Sequence, residues 1–469
     1  MKYCRRLNIA FAVLVELFLF ENCRSANIAV IGGGTGGSAV AYFLHEQSNG
    51  KHSVDVFEKT NRIGGRVRSK PFEQNFYEIG ASIIHSKNEY ATKFAKQFGL
   101  KEKSAIDPGT FAITNGPEFV FVESKCSLIT YLRLLRILKL DVIKIPMFVN
   151  KMLTDFSWIY FLQKENKTFN QLDEFLAALN IEFPSLIEQN LVDYLEKEVG
   201  IRDETVKQFV QAITLVNYGQ STGDLHAFVG AVAVAGSGGS LWSVDGGNQR
   251  IAENLVRASK ANVMFENIVT KISLLKNGSY KVETKRDSKP LVYDAIVLAT
   301  PLLNNEIQFI DFPADVENYI NSIQELKYHR TVATLVAGRL NQNFTKNIAD
   351  DIITCDPTSF FYSCSKLSPV NPYPSSHDVH KVFSREPLTK QQLSTLFEEI
   401  KEVDVTDWMA YPHYNSLKQL KMLPKFKMHS GLFHVNAIEW AASAIEMSII
   451  GAKNAALLVE NYIHNKNHK

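Results

Sequence analysis

The sequence predicts an α/β protein in which a Rossmann-like lobe with a GxGxxG turn is interleaved with a second, α+β lobe. Four consecutive segments predict the Rossmann-like lobe. Residues 27–31 form a short β-branched run typical of a buried parallel strand, and the glycine pattern of residues 32–37 follows directly. Residues 38–47 have a helical pattern, and a second strand-like run, 54–57, ends on Glu58. In this context a GxGxxG turn predicts a dinucleotide site, whereas the glycines alone would be a weak signal.

Each glycine of the turn has its own physical task. Gly32 permits the tight turn, Gly34 lets a pyrophosphate approach the backbone, and Gly37 lets the helix pack on the sheet. The helix N-terminus adds free N–H groups and a partial positive charge. Glu58 is placed to accept hydrogen bonds from adenosine ribose hydroxyls, and an acid there argues against a 2′-phosphate and hence against NADP.

Length and charge limit the function classes. A chain of 469 residues predicts two or three lobes. The formal net charge of +2 falls to zero once residues 1–25 are removed, which argues against sequence-independent nucleic-acid binding. The five cysteines include no CxxC pair, so no metal site is expected.

The N-terminus predicts a signal peptide over residues 1–25. Basic residues precede an apolar run, 7–20, and the small residues Cys23 and Ser25 occupy the −3 and −1 positions of a cleavage site before Ala26. The run is shorter than the roughly 20 residues that span a bilayer, and no later stretch predicts a transmembrane helix. We therefore expect entry into the secretory pathway, with a lysosomal or secreted destination.

Glycosylation and disulfide formation depend on that compartment. Cys355 and Cys364 flank a predicted turn at Asp356-Pro357, so their spacing allows a local disulfide, and Cys126 would then be unpaired. N-glycosylation sequons begin at Asn166, Asn277 and Asn343.

Residues 59–66, KTNRIGGR, are the first segment to distinguish FAD from NAD. With Glu58 they resemble the flavin amine-oxidase group, in which an acid and a base, here Lys59, precede a GGR turn. The resemblance implies that Gly65 lets the chain pass close to FAD and that Arg66 reaches the pyrophosphate, a role suited to a planar, permanently charged donor. It also implies a small-residue loop beside the flavin ring, formed by Gly80, Ala81 and Ser82.

Three later segments fit the same resemblance. Val269, in the strand-like run 263–272, is implied to contact the adenine through its backbone, and residues 293–301 resemble the strand that ends in a proline turn. The alanine-rich stretch 441–458 predicts a helix that opens near Ser443 and Ile445. Its N-terminus would face the flavin C2 carbonyl and stabilise negative charge there.

Residues 78–85 (EIGASIIH), 240–248 (SLWSVDGGN) and 436–448 (NAIEWAASAIEMS) closely resemble the corresponding stretches of prenylcysteine oxidases. The likeness extends over residues 28–458. It implies an FAD-dependent thioether oxidase that cleaves farnesyl- or geranylgeranyl-cysteine with O2 to a prenyl aldehyde, cysteine and hydrogen peroxide. That family also carries a signal peptide and associates with lysosomes or lipoproteins. The monoamine members of the flavin amine-oxidase group hold FAD covalently through a C-terminal cysteine. Since no cysteine follows Cys364 here, the resemblance implies non-covalent FAD.

The flavin carries the redox chemistry, so a catalytic base is needed only if water must be activated. His85 is the candidate because it follows the flavin-side loop, and His226 and Glu439 are the other choices.

The stretch 131–144 has basic residues along an apolar helix. Such a helix suits a pocket mouth, a membrane or lipoprotein surface, or an ordinary solvated face.

The cofactor segments predict an interrupted domain layout. Residues 26–86, 240–302 and 425–469 would form the FAD-binding domain, and residues 87–239 and 303–424 the substrate domain, with the active site between them.

Two other functions stay open at this point. One is a related flavin amine oxidase or desaturase, and the other is a catalytically silent flavin-binding lipid carrier.

Overall fold

The computed structural model describes residues 25–104, 109–236, 239–303, 306–346, 348–371, 377–419 and 423–467. All but the last residue of the predicted signal peptide, 1–25, lies outside these ranges. The β-strands are β1 Asn27–Ile31, β2 Ser53–Phe57, β3 Arg68–Phe72, β4 Asn75–Gly80, β5 Ile84–His85, β6 Glu102–Ser104, β7 Phe111–Thr114, β8 Phe119–Val122, β9 Leu241–Val244, β10 Asn262–Met264, β11 Val269–Leu274, β12 Tyr280–Thr284, β13 Leu291–Tyr293, β14 Ala295–Leu298, β15 Gln308–Ile310, β16 Tyr328–Leu340, β17 Asp351–Thr354, β18 Ser363–Leu367, β19 Val379–Ser384, β20 Phe397–Pro412, β21 Lys427–His429 and β22 Leu432–His434.

Helices connect these strands and fill most of the region between β8 and β9. The α-helices are α1 Thr35–Ser48, α2 Glu89–Gln97, α3 Ser127–Leu138, α4 Asp141–Phe156, α5 Trp158–Lys164, α6 Leu172–Leu179, α7 Phe183–Glu188, α8 Leu191–Tyr194, α9 Asp203–Thr205, α10 Gln211–Tyr218, α11 Ala227–Ala235, α12 Gln249–Ser259, α13 Ala314–Gln324, α14 Gln342–Thr345, α15 Lys390–Leu396 and α16 Ile445–Asn467. Short π- or 3-10-helical segments cover Leu195–Val199, Val206–Val210, Thr222–Asp224, Tyr414–Gln419 and Val435–Trp440.

A mostly parallel sheet carries the glycine turn at its centre. Its strand order is β10-β2-β1-β14-β22-β21, with β1 paired in parallel to both β2 and β14. All four residues of β14 and four of the five in β1 are buried, as expected for a strand covered on both faces. Helix α1 connects β1 to β2, and α12 and α16 both pack against it. The turn after β1 therefore opens at the carboxyl edge of the sheet, where α/β folds bind ligands.

A second, seven-stranded sheet has the order β20-β16-β19-β18-β17-β7-β8. Its long strands β16 and β20 pair antiparallel along most of their length. Helix α10 packs against β17 of this sheet, and α11 packs against α4 and α7. The predicted domain boundaries remain a prediction.

Two predicted elements are wrong because a backbone turn interrupts them. The stretch 131–144 is two helices, α3 and α4, since Lys139 adopts a left-handed φ of 53° that no helix continues through. The run 263–272 is likewise split into β10 and β11, which belong to different sheets, and Glu266 has a φ of 53° between them.

Two more predictions err at their ends. Within 293–301, Tyr293 closes β13 in a four-stranded sheet, and only Ala295–Leu298 joins the parallel sheet. The C-terminal helix begins at Ile445 rather than at 441, because the 3-10 segment Val435–Trp440 precedes it, and it runs to Asn467. Among the described helices, none is long and apolar enough to cross a bilayer.

The local disulfide that the spacing of Cys355 and Cys364 allows is not formed, and Cys126, Cys355 and Cys364 are all free thiols. Cys364 pairs in register with Ile352 and packs with it in one apolar cluster. Cys355 packs instead with Ile353 in a different cluster. Consecutive strand residues point to opposite faces of a sheet, so the two sulfurs are separated by the sheet itself.

Replacing Gly37 by alanine tests the packing of α1 on the turn. A Cβ at this position would lie 1.8 Å from the Gly32 carbonyl oxygen, so helix and strand must separate. We expect Gly37→Ala to lower the free energy of unfolding by about 1–3 kcal/mol or more, measured by denaturant titration. Gly223→Ala is the matched control, because a Cβ there meets nothing within 4 Å. Equal stability of the two variants would contradict the close approach.

Candidate functional site

One large cavity collects the predicted site residues. Its volume is about 1490 Å³, beyond the roughly 300–1,000 Å³ typical of a site for one small ligand. Gly37 does not line it, in keeping with a packing role. The predicted residues that do line it are Gly32, Gly34, Glu58, Lys59, Gly65, Arg66, Gly80, Ala81, Ser82, His85, Val269, Ser443 and Ile445.

Two glycine turns meet at the nucleotide end of the cavity. Gly34 and Gly64 form a parallel β-bridge, and the Gly64 N–H donates to the Gly33 carbonyl at 3.0 Å. Gly65 has a φ of 59°, and a Cβ there would lie 3.1 Å from the Gly34 Cα. A Cβ at Gly34 would meet only Gly65, at 3.7 Å, so the space in front of this turn is open. A bare backbone beside a helix N-terminus suits a pyrophosphate.

Glu58 holds the first turn in shape. Its buried carboxylate accepts the Gly33 N–H at 2.8 Å through Oε2, and the N–H and hydroxyl of Thr60 at 2.8 and 2.7 Å through Oε1. A carboxylate offers about four acceptor positions, so these three bonds leave room for one further donor. The predicted contact to a ribose hydroxyl fits that remaining position.

Arg66 is directed at a buried carboxylate. Its guanidinium donates to Glu439 and, at 2.8 Å, to the Ala410 carbonyl. Glu439 also accepts the Asn436 amide at 2.9 Å and the Tyr328 hydroxyl at 3.0 Å. Burial works against the charged guanidinium, but the Glu439 carboxylate offsets it and raises the pKa of Arg66. Glu439 is thus committed to an ion pair, and a contact of Arg66 with a pyrophosphate stays a prediction.

The junction before α16 is fixed by two tyrosines. The Ser443 N–H donates to the Tyr414 hydroxyl at 3.1 Å, and the Tyr218 hydroxyl donates to the Ser443 carbonyl at 3.2 Å. The two tyrosine rings meet edge to face, 5.5 Å apart. Ile445 then begins the helix, so the N-terminus of α16 is held rigidly at the cavity wall.

His226 lies behind this wall and does not line the cavity. Its Nδ1 accepts the Val229 N–H at 3.2 Å, which caps α11, so the proton of the neutral ring is on Nε2, 3.0 Å from the Trp440 carbonyl. Burial lowers the pKa of His226 to about 4. With both nitrogens engaged and the ring neutral, His226 acts as a structural group.

His85 does line the cavity, at the end of β5. Its Nδ1 accepts the Lys87 N–H at 3.0 Å, so the neutral ring carries its proton on Nε2. Nε2 lies against Gly239, where a Cβ would approach it to 2.7 Å. In this tautomer the ring presents a hydrogen-bond donor on Nε2 rather than an acceptor.

Glu446 is a cavity-lining carboxyl group that the sequence analysis did not single out. It accepts the N–H groups of Tyr90 and Ala91, at 2.7 and 2.9 Å, and the Tyr160 hydroxyl at 2.8 Å. Burial raises the pKa of Glu446 to about 7, against the lowering effect of these bonds. It caps the N-terminus of α2 from the second residue of α16, a link that only the tertiary fold creates.

Another group of lining residues is apolar. This wall is formed by the helices α4, α10 and α11. Its apolar residues are Val149, Met152, Leu153 and Phe156 of α4, Val216 of α10, and Phe228, Ala231 and Val232 of α11. No single stretch of sequence predicts this wall, because it is assembled from three separate helices. Among the described residues, no cluster of three or more His, Cys, Asp or Glu side chains is suited to hold a metal ion.

Comparison with known proteins identifies relatives over nearly the full length. The bovine (Bos taurus) protein named prenylcysteine oxidase 1-like is 33% identical over 98% of this chain and 96% of its own length. Human (Homo sapiens) prenylcysteine oxidase 1 is 33% identical over 92% of this chain and 88% of its own.

Solved structures share the fold at low identity. Putrescine oxidase with bound putrescine matches with a TM-score of 0.62 and 12% identity, covering 92% of this chain and 98% of that one. A putative protoporphyrinogen oxidase from Exiguobacterium matches with a TM-score of 0.58 and 16% identity, covering 93% and 98%. These likenesses confirm the predicted amine-oxidase-like α/β architecture.

Family models place the chain more closely. A model of an NAD(P)-binding Rossmann-like domain matches residues 30–98, which contain the glycine turn, Glu58 and Arg66. A model described as prenylcysteine lyase matches residues 121–469, most of the chain. Together with the full-length relatives, this match confirms the resemblance seen in the motifs: the chain belongs to the prenylcysteine lyase family.

Proposed function

We propose that this protein is an FAD-dependent oxidase that cleaves the thioether of a prenyl-L-cysteine. The observation that carries the proposal is a single cavity lined at one side by a bare glycine turn and at another by apolar helices. The first suits a dinucleotide and the second suits a hydrocarbon chain. The relatives named prenylcysteine oxidase support this substrate class.

The residues present fit FAD, held without a covalent bond. The open backbone at Gly34 and Gly65 suits the pyrophosphate, and Glu58 has one acceptor position for the ribose. None of the three described cysteines lines the cavity, so a thioether tether has no donor there. When bound, the flavin supplies oxidation of the carbon next to sulfur and passes the electrons to O2.

The part of the protein chain is to bind the substrate and to orient it. The overall reaction consumes prenylcysteine, O2 and water, and yields a prenyl aldehyde, cysteine and hydrogen peroxide. The apolar faces of α4 and α11 would hold the prenyl chain, and the N-terminus of α16, fixed at Ser443 by Tyr414, would stabilise negative charge on the flavin. His85 lines the cavity and would position the water that the reaction consumes.

The first test is peroxide release on addition of farnesylcysteine, measured with the visible spectrum of the purified protein. We expect a flavin spectrum and peroxide from farnesylcysteine but not from simple amines. Gly34→Asp is the cofactor control, because its carboxylate enters the open space of the turn and repels phosphate; we expect loss of flavin absorbance with the fold retained. Peroxide from amines would favour an amine oxidase, and a yellow but inactive protein would favour a lipid carrier.

A second test concerns His85. We expect His85→Ala to slow turnover of farnesylcysteine by roughly 10²-fold at unchanged flavin content, the loss that a misplaced reactant causes. His464→Ala, at an exposed position near the end of α16, is the matched control and should leave turnover unchanged. Unaltered kinetics in His85→Ala would remove this residue from the mechanism.

The proposed location is the secretory pathway, with a lysosomal or secreted destination. The sequon residues Asn166, Asn277 and Asn343 are all exposed, at the end of α5, in the β11–β12 turn and in α14. We expect glycosidase treatment of protein from secreting cells to lower its apparent mass, and the triple Asn→Gln variant to be insensitive. An unchanged mass for the unaltered chain would contradict this location.

A further inference from the structure

Helices α3 and α4 present large apolar side chains to solvent. On α3 the positions recur three and four residues apart, which places them on one face, and the same spacing recurs from Leu140 into the first turns of α4, the helix that contacts α3. Their exposed fractions are between 52% and 69%. We name this surface the apolar ridge and define it by Leu128, Tyr131, Leu132, Leu140, Ile143 and Met147.

The ridge is flanked by positive charge. Residues 125–154 contain six basic side chains and one acid, Asp141. That acid is buried and accepts Arg202 at 3.0 Å and the Thr205 hydroxyl at 2.6 Å, so it does not neutralise the surface. The bases, all intermediate or exposed, are Lys125, Arg133, Arg136, Lys139, Lys144 and Lys151.

The cavity reaches the surface on the same helix. Val149, Asn150 and Thr154 all line it, and Asn150 and Thr154 are exposed. Asn150 follows Met147 by three residues, a rise of about 4.5 Å along the helix. The ridge is therefore one turn from the mouth of the apolar side of the cavity.

We propose that the apolar ridge docks the protein on an anionic phospholipid bilayer, with the cavity mouth facing the lipid. An amphipathic surface with basic residues beside its apolar face binds in the headgroup region of such a membrane. A second copy of the chain is a poorer occupant, since a symmetric pair would bring the two sets of cations together. The proposal rests on the proposed function, because it is the lipid-soluble substrate that would reach the cavity from the membrane. Docking itself is measured without turnover.

The test is co-sedimentation of the purified protein with vesicles of phosphatidylcholine alone or mixed with phosphatidylserine. We expect preference for the mixed vesicles. Leu132→Glu with Met147→Glu should weaken binding by at least about tenfold, because it places charge on the inserted face. Val292→Glu with Val405→Glu is the matched control, at apolar positions exposed to 51% and 46% on other elements, and should bind normally.

The charges are tested separately. Arg136→Gln with Lys139→Gln should reduce affinity for the mixed vesicles by about thirtyfold, roughly fivefold for each charge removed. Absence of binding by the unaltered protein, equal losses in ridge and control variants, or a dimer that the ridge variants dissociate would each overturn the proposal. Failure of the proposed function would look different: the unaltered protein would dock on vesicles yet release no peroxide from dispersed farnesylcysteine.

Discussion

The ion pair between Arg66 and Glu439 joins parts of the chain that are far apart in sequence. It connects the turn after β2 to the 3-10 segment before α16, and Tyr328 extends the contact to the long strand β16. Because Glu439 is buried, removing Arg66 would leave an uncompensated charge there, which is destabilising. The glycine turn, the wall at Ser443 and the second sheet therefore keep a fixed relation, and the cavity between them has a defined shape.

The parts of this arrangement that were predictable from sequence are the local ones. The turn from Gly32 to Glu58 is specified within one strand–helix–strand unit, so residue type and order suffice. Glu446 accepts a hydrogen bond from Tyr90, 356 residues away, and Tyr414 accepts one from Ser443, 29 residues away, and no periodicity of the sequence predicts either contact. The break at Lys139 was missed for another reason: a single left-handed residue leaves the apolar pattern on both sides intact.

The distribution of polar and apolar groups suits a division of labour between cofactor and protein. Hydrogen bonds are concentrated around the nucleotide turn, at Glu58, and around the α16 junction, at Ser443. The helical wall is mostly apolar, with Asn150, Thr154 and Asn217 among its polar members, and an apolar wall holds a chain by exclusion from water and leaves its length unspecified. The fixed elements orient the reacting end, and the helices accommodate the remainder.

The strand order of the parallel sheet also determines when this sheet can be completed during synthesis of the chain. β1 lies between β2 and β14, and β14 in turn pairs with β22, at Leu432–His434. At ribosomal rates of about 5–20 residues per second, the interval between synthesis of β1 and β22 is on the order of 20–80 s. In the later part of that time, after β14 has been made and can pair with β1, the apolar edge of β14 still has no partner. Nascent chains of this protein thus expose an unpaired strand edge, a site of aggregation, until the last tenth of translation.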